Sequence, residues 1–226
     1  MKNPSLVSDQ IYHIYNRGVE KRKIFLEDED YLRFIENLYE FNDELSALNK
    51  YYRQPYEIGS RNKEREILVE ILAFCLMPNH FHLFIRQKNG SGISRFIQKL
   101  SIGYSMYFNK KYKRIGPLFQ GKFKAVLVNQ DKHFIHLPFY IHLNPLDLVA
   151  PEWRERKIKD LQVSLNFLNS YRWSSYLDYI GQKNFPSVTQ REFLLNFFDG
   201  PKNYKSQTEQ WLKELDLSNI QDLILE

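Results

Sequence analysis

The sequence predicts an α+β protein, and two stretches carry most of this prediction. Residues 67–77 form an apolar run rich in β-branched side chains, which leads through Pro78-Asn79 into a second apolar stretch at 80–85. This pattern is typical of a β-hairpin with a tight turn. Between residues 93 and 109, apolar side chains recur at helical spacing. With the elements given next, the order β-α-β-β-α-β predicts a ferredoxin-like sandwich that has an antiparallel sheet with one open face.

Four further elements complete this order. Residues 11–16 are rich in strand-forming side chains and predict the first strand. Residues 28–41 predict a helix, because acidic residues precede apolar ones at helical spacing. Residues 118–128 predict the last strand, and residues 132–143 a further helix, in which Pro138 predicts a kink or a fresh helical start.

The chain divides into a main domain and an extension. We expect one domain over residues 1–150, with a polar insertion near 43–66 that forms a long connection. Residues 151–226 predict a mainly helical C-terminal extension that packs on this domain.

Composition excludes several classes of protein. Hydrophobic residues make up 43% of the 226 residues, which indicates a globular fold. The sequence has neither an apolar stretch long enough to cross a membrane nor the apolar segment of a signal peptide, so we expect a cytoplasmic protein without membrane contact. The single cysteine, Cys75, excludes a disulfide framework within one chain and predicts a small buried hydrophobic residue.

Positive charge is concentrated in one part of the chain. Between Arg86 and His133 the sequence has eleven Lys or Arg residues and one acid, Asp131, so this window is net +10 and the remainder of the +5 chain is net −5. Such segregation indicates either a nucleic-acid-binding face or a solvated basic surface. The basic residues that we expect to bind DNA are Arg95, Lys99, Lys110, Lys111, Lys113, Arg114, Lys122 and Lys124.

Two pairs of residues predict a metal-assisted nucleophile. On a strand, His80 and His82 project from the same face about 7 Å apart and can converge on one divalent cation. On a helix, Tyr140 and Asn144 share one face, and they offer a phenol nucleophile and a third ligand. Mixed nitrogen and oxygen ligands favour Mg²⁺ or Mn²⁺ over a closed zinc site. The alternatives are a structural histidine pair, a core tyrosine and a helix-capping asparagine.

These residues lie in stretches that resemble a known family. The sequence resembles the single-tyrosine transposases of insertion sequences, which have the His-hydrophobic-His (HUH) motif, and among these it most resembles the IS200-like REP-associated tyrosine transposases. The resemblance spans roughly residues 11–181, which is most of the chain. The stretches that carry it are Tyr12-His13 with Asn16-Arg17-Gly18, Cys75-Leu76-Met77-Pro78-Asn79-His80-Phe81-His82, Tyr107-Phe108-Asn109, 116–124, Tyr140-Ile141-His142-Leu143-Asn144-Pro145 and Trp173-Ser174-Ser175-Tyr176.

The resemblance implies a transposase that cleaves and rejoins single-stranded DNA near hairpins. It implies that His80, His82 and Asn144 bind the metal and that Tyr140 forms a 5′-phosphotyrosine intermediate, with no need for ATP. It makes residues 1–150 the catalytic domain and predicts a monomer or a homodimer. Two alternatives are a rolling-circle-type HUH nicking endonuclease and a catalytically inactive module that binds hairpin DNA.

Overall fold

The computed structural model describes residues 3–44, 65–155 and 157–214. Most of the predicted insertion at 43–66 and the last residues of the C-terminal extension lie outside these ranges. Within them, no helix is both long and apolar enough to cross a lipid bilayer.

Four antiparallel strands form a single sheet. The strands are β1 (Ile11–Arg17), β2 (Val69–Met77), β3 (His80–Gln87) and β4 (Lys124–Leu127), and their order across the sheet is β2-β3-β1-β4. The two central strands are therefore β3 and β1, and each is buried along most of its length. This is the ferredoxin-like arrangement that the sequence predicts.

Helices follow the predicted order and continue through the C-terminal extension. The helices are α1 (Asp28–Glu40), α2 (Gly92–Lys111), α3 (Asp131–Leu143), α4 (Leu161–Ser170), α5 (Tyr176–Tyr179), α6 (Glu192–Phe197) and α7 (Pro201–Glu214), and 3₁₀ turns lie at Val19–Lys21, Asn144–Leu148 and Pro151–Glu155.

Both faces of the sheet are covered, so the predicted open face is wrong. On one face, the ring of Phe34 in α1 packs 5.1 Å from that of Phe81. On the other face, Phe134 in α3 packs 6.1 Å from Phe84. Residues 137–143 of α3 are all buried. A helix that is apolar on every side requires cover on every side, and α3 therefore lies between the sheet and the C-terminal helices.

Two predicted boundaries also differ. The last strand is shorter than 118–128, because Phe119 forms only an isolated bridge with Gly18 and Gly121 adopts a positive φ of 70°. Helix α3 continues through Pro138, so a fresh helical start is wrong there. An internal proline costs a helix about 3 kcal/mol in isolation, which the burial of α3 on both sides offsets.

The C-terminal extension covers the outer edge of β2. Leu76 N donates to Trp173 O at 2.9 Å, and Ser175 N donates to Phe74 O at 3.0 Å. Residues 173–175, which we call the edge segment, therefore occupy backbone groups that an exposed edge strand would offer to another chain. Beneath it, Cys75 is fully buried, as predicted.

Candidate active site

The start of β3 and the end of α3 meet at the candidate site. His80 and His82 lie on the same face of β3, with ring centroids 4.9 Å apart and planes at 87°. Helix α3 crosses this face and places the ring of Tyr140 5.9 Å from that of His82. Tyr140 and His82 are each only 1% exposed. The structure thus brings the predicted nucleophile against the predicted metal-binding pair.

Asn144 joins the same cluster one helical turn after Tyr140. Its Nδ2 donates to Tyr140 O at 2.8 Å, and its Oδ1 accepts from Arg154 Nη2 at 3.3 Å, which together fix the orientation of the amide. The Asn144 side chain also lies near those of His80 and Tyr140, since it affects the pKa of each. All four residues chosen from the sequence therefore lie in one place.

The protonation of His80 is determined by its neighbour in the turn. His80 Nδ1 lies 2.7 Å from Asn79 Oδ1, while Asn79 Nδ2 donates to Lys21 O at 3.3 Å. Because an amide oxygen can only accept, Nδ1 of His80 carries the proton and Nε2 has a free lone pair. Burial lowers the pKa of His80 to about 4. The ring is consequently neutral at physiological pH, which is the form that binds a metal.

His82 is paired with a third histidine. His82 Nδ1 lies 2.8 Å from Nε2 of His13 in β1, and the two rings stack with centroids 5.0 Å apart. Burial lowers the pKa of His82 well below its usual value. Either ring can be the donor in this hydrogen bond. The tautomer in which Nδ1 of His82 donates to His13 would leave Nε2 of His82 available as a ligand atom.

This donor set fits a divalent cation with open coordination positions. In the described ranges no cluster of three His, Cys, Asp or Glu side chains could hold a metal, so a third protein ligand, if a metal binds here, would be of another residue type. The Asn144 amide oxygen beside His80 is such a donor. Two neutral imidazoles and one amide oxygen could hold Mg²⁺ or Mn²⁺, with the remaining positions left for water or phosphate oxygens.

An ion pair that we did not predict borders the site. Arg154 Nη1 donates to Tyr140 Oη at 3.2 Å. The same guanidinium donates to both oxygens of Asp147, from Nε at 2.9 Å and from Nη2 at 2.8 Å. Burial raises the pKa of the Tyr140 phenol, and the charge of Arg154 and its hydrogen bond act in the opposite direction.

Asp147 and Arg154 had no local sequence pattern that could reveal them as site residues. Arg154 and Asp147 lie in 3₁₀ turns after Pro145, where neither helical nor strand periodicity applies. The sequence assigns His13 to the first strand, but only the register of β1 against β3 shows that it lies beside His82.

The predicted DNA-binding residues fall into two groups. Some have protein partners: Arg95 pairs with Glu44, Lys99 donates to Asp43 O, Lys111 pairs with Glu27, Glu29 and Asp30, and Arg114 donates to Asn109. Asp30 is fully buried and also accepts from the hydroxyl groups of Tyr107 and Tyr112, so Lys111 is part of a structural cluster. The others have no ion-pair partner within the described part of the chain: Lys110, Lys113, Lys122 and Lys124.

The chain matches a known family in sequence and a solved structure in fold. The sequence profile of the family described as "Transposase IS200 like" matches residues 6–144, which is more than half of the chain. The comparison with curated proteins gives no significant match. A solved structure of a REP-associated tyrosine transposase bound to a REP hairpin is similar in fold, with 12% identity and a TM-score of 0.50 over 83% of this chain and 89% of that chain. The family match spans all four predicted site residues and ends before Asp147 and Arg154. The chain therefore belongs to the family of IS200-like transposases.

Proposed function

We propose that the protein is a metal-dependent transposase that cleaves and rejoins single-stranded DNA near hairpins, with Tyr140 as the nucleophile. The observation that carries the proposal is the position of Tyr140, with its ring 5.9 Å from that of His82 and Asn144 one helical turn further on. Membership of the transposase family supports DNA as the substrate. The hairpin bound by the similar solved structure suggests which form of DNA to test.

In the proposed cleavage step, Tyr140 Oη attacks the phosphorus of a phosphodiester. The Oη–P bond forms and the P–O3′ bond breaks, the phenolic proton is lost to solvent, and the 3′ oxygen leaves as a hydroxyl after taking up a proton. The 5′ phosphate remains on Tyr140. In the joining step a 3′-hydroxyl attacks that phosphorus and releases Tyr140. Because the phosphotyrosine retains the energy of the broken bond, no nucleotide cofactor is required.

The site's own residues prepare these steps. His80, His82 and Asn144 would hold Mg²⁺ or Mn²⁺, which when bound supplies a Lewis acid for the phosphate oxygens. Asn79 keeps the proton of His80 on Nδ1 and so leaves Nε2 as the ligand atom. Helix α3 is buried on both sides and restricts Tyr140 to one position, which reduces the entropy cost of attack.

The basic side chains without ion-pair partners in the described residues are proposed to follow the DNA backbone. Of these, Lys110, Lys113 and Lys122 are exposed and lie at the end of α2 and in the loop before β4. Neutralising phosphates releases counterions, so such contacts favour binding without reading sequence. We propose that the protein acts in the cytoplasm as a monomer or a homodimer.

The test uses single-stranded oligonucleotides that carry the hairpins flanking the gene. Each is incubated with protein and Mg²⁺ or Mn²⁺ and analysed on a denaturing gel for cut DNA and for a protein–DNA adduct. Wild-type protein should cut in a metal-dependent manner and form the adduct. In Tyr140→Phe the rates of cleavage and of adduct formation should fall by several orders of magnitude, since this variant lacks only the attacking oxygen. Its affinity for the hairpin should be retained.

Tyr176→Phe is the matched control. Tyr176 is also buried, but its hydroxyl has no hydrogen-bond partner among the described residues, so its loss should leave cleavage unchanged. Cutting by Tyr140→Phe would show that another residue is the nucleophile. Hairpins bound but uncut with every metal would indicate an inactive binding module, and cutting without rejoining would indicate a nicking endonuclease.

A further inference from the structure

We propose that Arg154 is a second catalytic residue, which stabilises negative charge on Tyr140 Oη as the bond between this oxygen and phosphorus forms and breaks. The inference rests on the proposed function and adds a residue outside the family match. Its basis is the hydrogen bond of 3.2 Å from Arg154 Nη1 to Tyr140 Oη. Oη is the atom that attacks in cleavage and leaves in joining.

The guanidinium of Arg154 is held firmly in this position. Asp147 accepts two hydrogen bonds from it, at 2.9 and 2.8 Å, in the bidentate geometry that orients a guanidinium best. Asp147 is itself fixed by Trp153 Nε1, which donates to its Oδ1 at 2.7 Å. The Arg154 guanidinium carbon also lies 4.8 Å from the Trp153 ring centroid and 5.1 Å from that of Tyr140. Arg154 therefore needs no rearrangement to contact Oη.

One N–H group of Arg154 remains for the substrate. Its bonds to described residues use four of its five N–H groups: Nε and Nη2 to Asp147, Nη2 to Asn144, and Nη1 to Tyr140. The second hydrogen of Nη1 can donate to a phosphate oxygen next to Oη. One side chain can thus contact both the reacting oxygen and the phosphate whose charge changes.

The effect should be large because the site is buried. When the phosphotyrosine is resolved, the P–Oη bond breaks and the electron pair stays on Oη, which then carries negative charge until it takes up a proton. Tyr140 is 1% exposed, so water solvates this charge poorly and a fixed cation acts at low effective dielectric. Removal of one such preorganised donor slows other enzymes about 10²- to 10³-fold.

The test measures cleavage and joining separately in Arg154→Ala. We expect both rates to fall about 10²-fold or more, with a much smaller change in hairpin affinity. Arg172→Ala is the matched control, because the Arg172 guanidinium carbon likewise lies 4.9 Å from the centroid of a tryptophan ring, that of Trp173. This variant should cleave and join at the wild-type rates. The midpoint of urea unfolding shows whether each variant is folded. If Arg154→Ala is unfolded, Arg154→Gln, which retains polar contacts, takes its place in the experiment.

A trifluorotyrosine at position 140 separates charge stabilisation from positioning. Fluorine stabilises the phenolate, so the rate of joining from the isolated covalent adduct should depend less on Arg154. The fold reduction in this rate that Arg154→Ala causes should therefore be several-fold smaller with trifluorotyrosine than with tyrosine. A loss that does not shrink would show that Arg154 only positions the ring, which overturns the proposal.

The outcomes distinguish this inference from the function on which it rests. If wild-type protein forms the adduct, Tyr140→Phe does not, and Arg154→Ala cleaves and joins at the wild-type rate, the inference is wrong and the proposed function stands. If wild-type protein forms no adduct with any hairpin or metal, both are wrong.

Discussion

The Asn79 side chain determines which nitrogen of His80 carries the proton. Its Oδ1 lies 2.7 Å from His80 Nδ1, and its Nδ2 is occupied by Lys21 O. Such outer hydrogen bonds orient a ligating histidine and raise its basicity. Metal affinity should therefore depend on a residue that does not itself bind the metal.

We expect Asn79→Ala to weaken Mn²⁺ binding about 10-fold or more, because His80 then loses the acceptor that fixes its tautomer. Asn79→Asp is the control, since its carboxylate still accepts from Nδ1 and should preserve or increase affinity. Binding is measured by titration calorimetry or by the electron paramagnetic resonance of free Mn²⁺, without DNA. Equal affinities for wild type and the alanine variant would show that this hydrogen bond has no part in metal binding.

For individual residues, the sequence predicts which side chains share a face of one strand or one helix, because local periodicity determines this. His80 and His82 share a face because of the two-residue period of a strand, and Tyr140 and Asn144 because of the four-residue spacing of a helix. Arg154 contacts Tyr140 only because the chain turns back after Pro145 through two 3₁₀ turns. Sequence patterns do not specify where such a reversal places a side chain.

Helix α3 is the element that connects the site to the C-terminal extension. His142, on the side of α3 away from the site, lies between two hydroxyl groups, with Nδ1 2.6 Å from Tyr204 Oη and Nε2 2.7 Å from Ser175 Oγ. It thereby joins α3 to α7 and to the edge segment. The sequence predicts α3 as a helix, but it gives no sign of these partners, which are distant in sequence. For the same reason, the covering of the sheet's second face was not predicted.

The burial of His142 should make stability depend on pH. Burial lowers the pKa of His142 to about 3, whereas an unfolded histidine titrates near its usual 6.5. Below that value the unfolded chain takes up a proton that the folded chain does not, so the free energy of unfolding falls as the pH falls towards 3, by up to about 1.4 kcal/mol per pH unit.

Urea unfolding between pH 7 and about 5 measures this dependence, above the range in which most carboxylates titrate. His142→Gln retains hydrogen-bonding capacity but does not titrate, and we expect a shallower loss of stability on acidification than in wild type. Burial also lowers the pKa of His80 and His82, but these residues contribute equally to the pH dependence in both proteins, so the difference between the two slopes is due to His142. Parallel slopes would contradict the prediction.

Across the whole molecule, the charge pattern of the sequence overstates the surface available to DNA. The window from Arg86 to His133 is net +10, but Arg95 and Lys111 are ion-paired with acids that come from α1 and its flanking residues. Counting charges along the chain cannot show such pairing, because each partner lies far away in sequence. The exposed lysines without partners in the described ranges are the more specific candidates.

Replacing these lysines should weaken hairpin binding through its electrostatic part. We expect the triple variant Lys110→Ala, Lys113→Ala and Lys122→Ala to reduce affinity and to lower the slope of log affinity against log salt concentration by about 2 to 3, since each phosphate contact contributes about 0.7 to 0.9. The control removes the same charge from Lys159, Lys183 and Lys202, which are exposed in the C-terminal extension, and should leave the slope unchanged. Fluorescence anisotropy of a labelled hairpin at several salt concentrations gives both values. If the two triple variants reduce the slope equally, net charge governs binding rather than a surface at the end of α2.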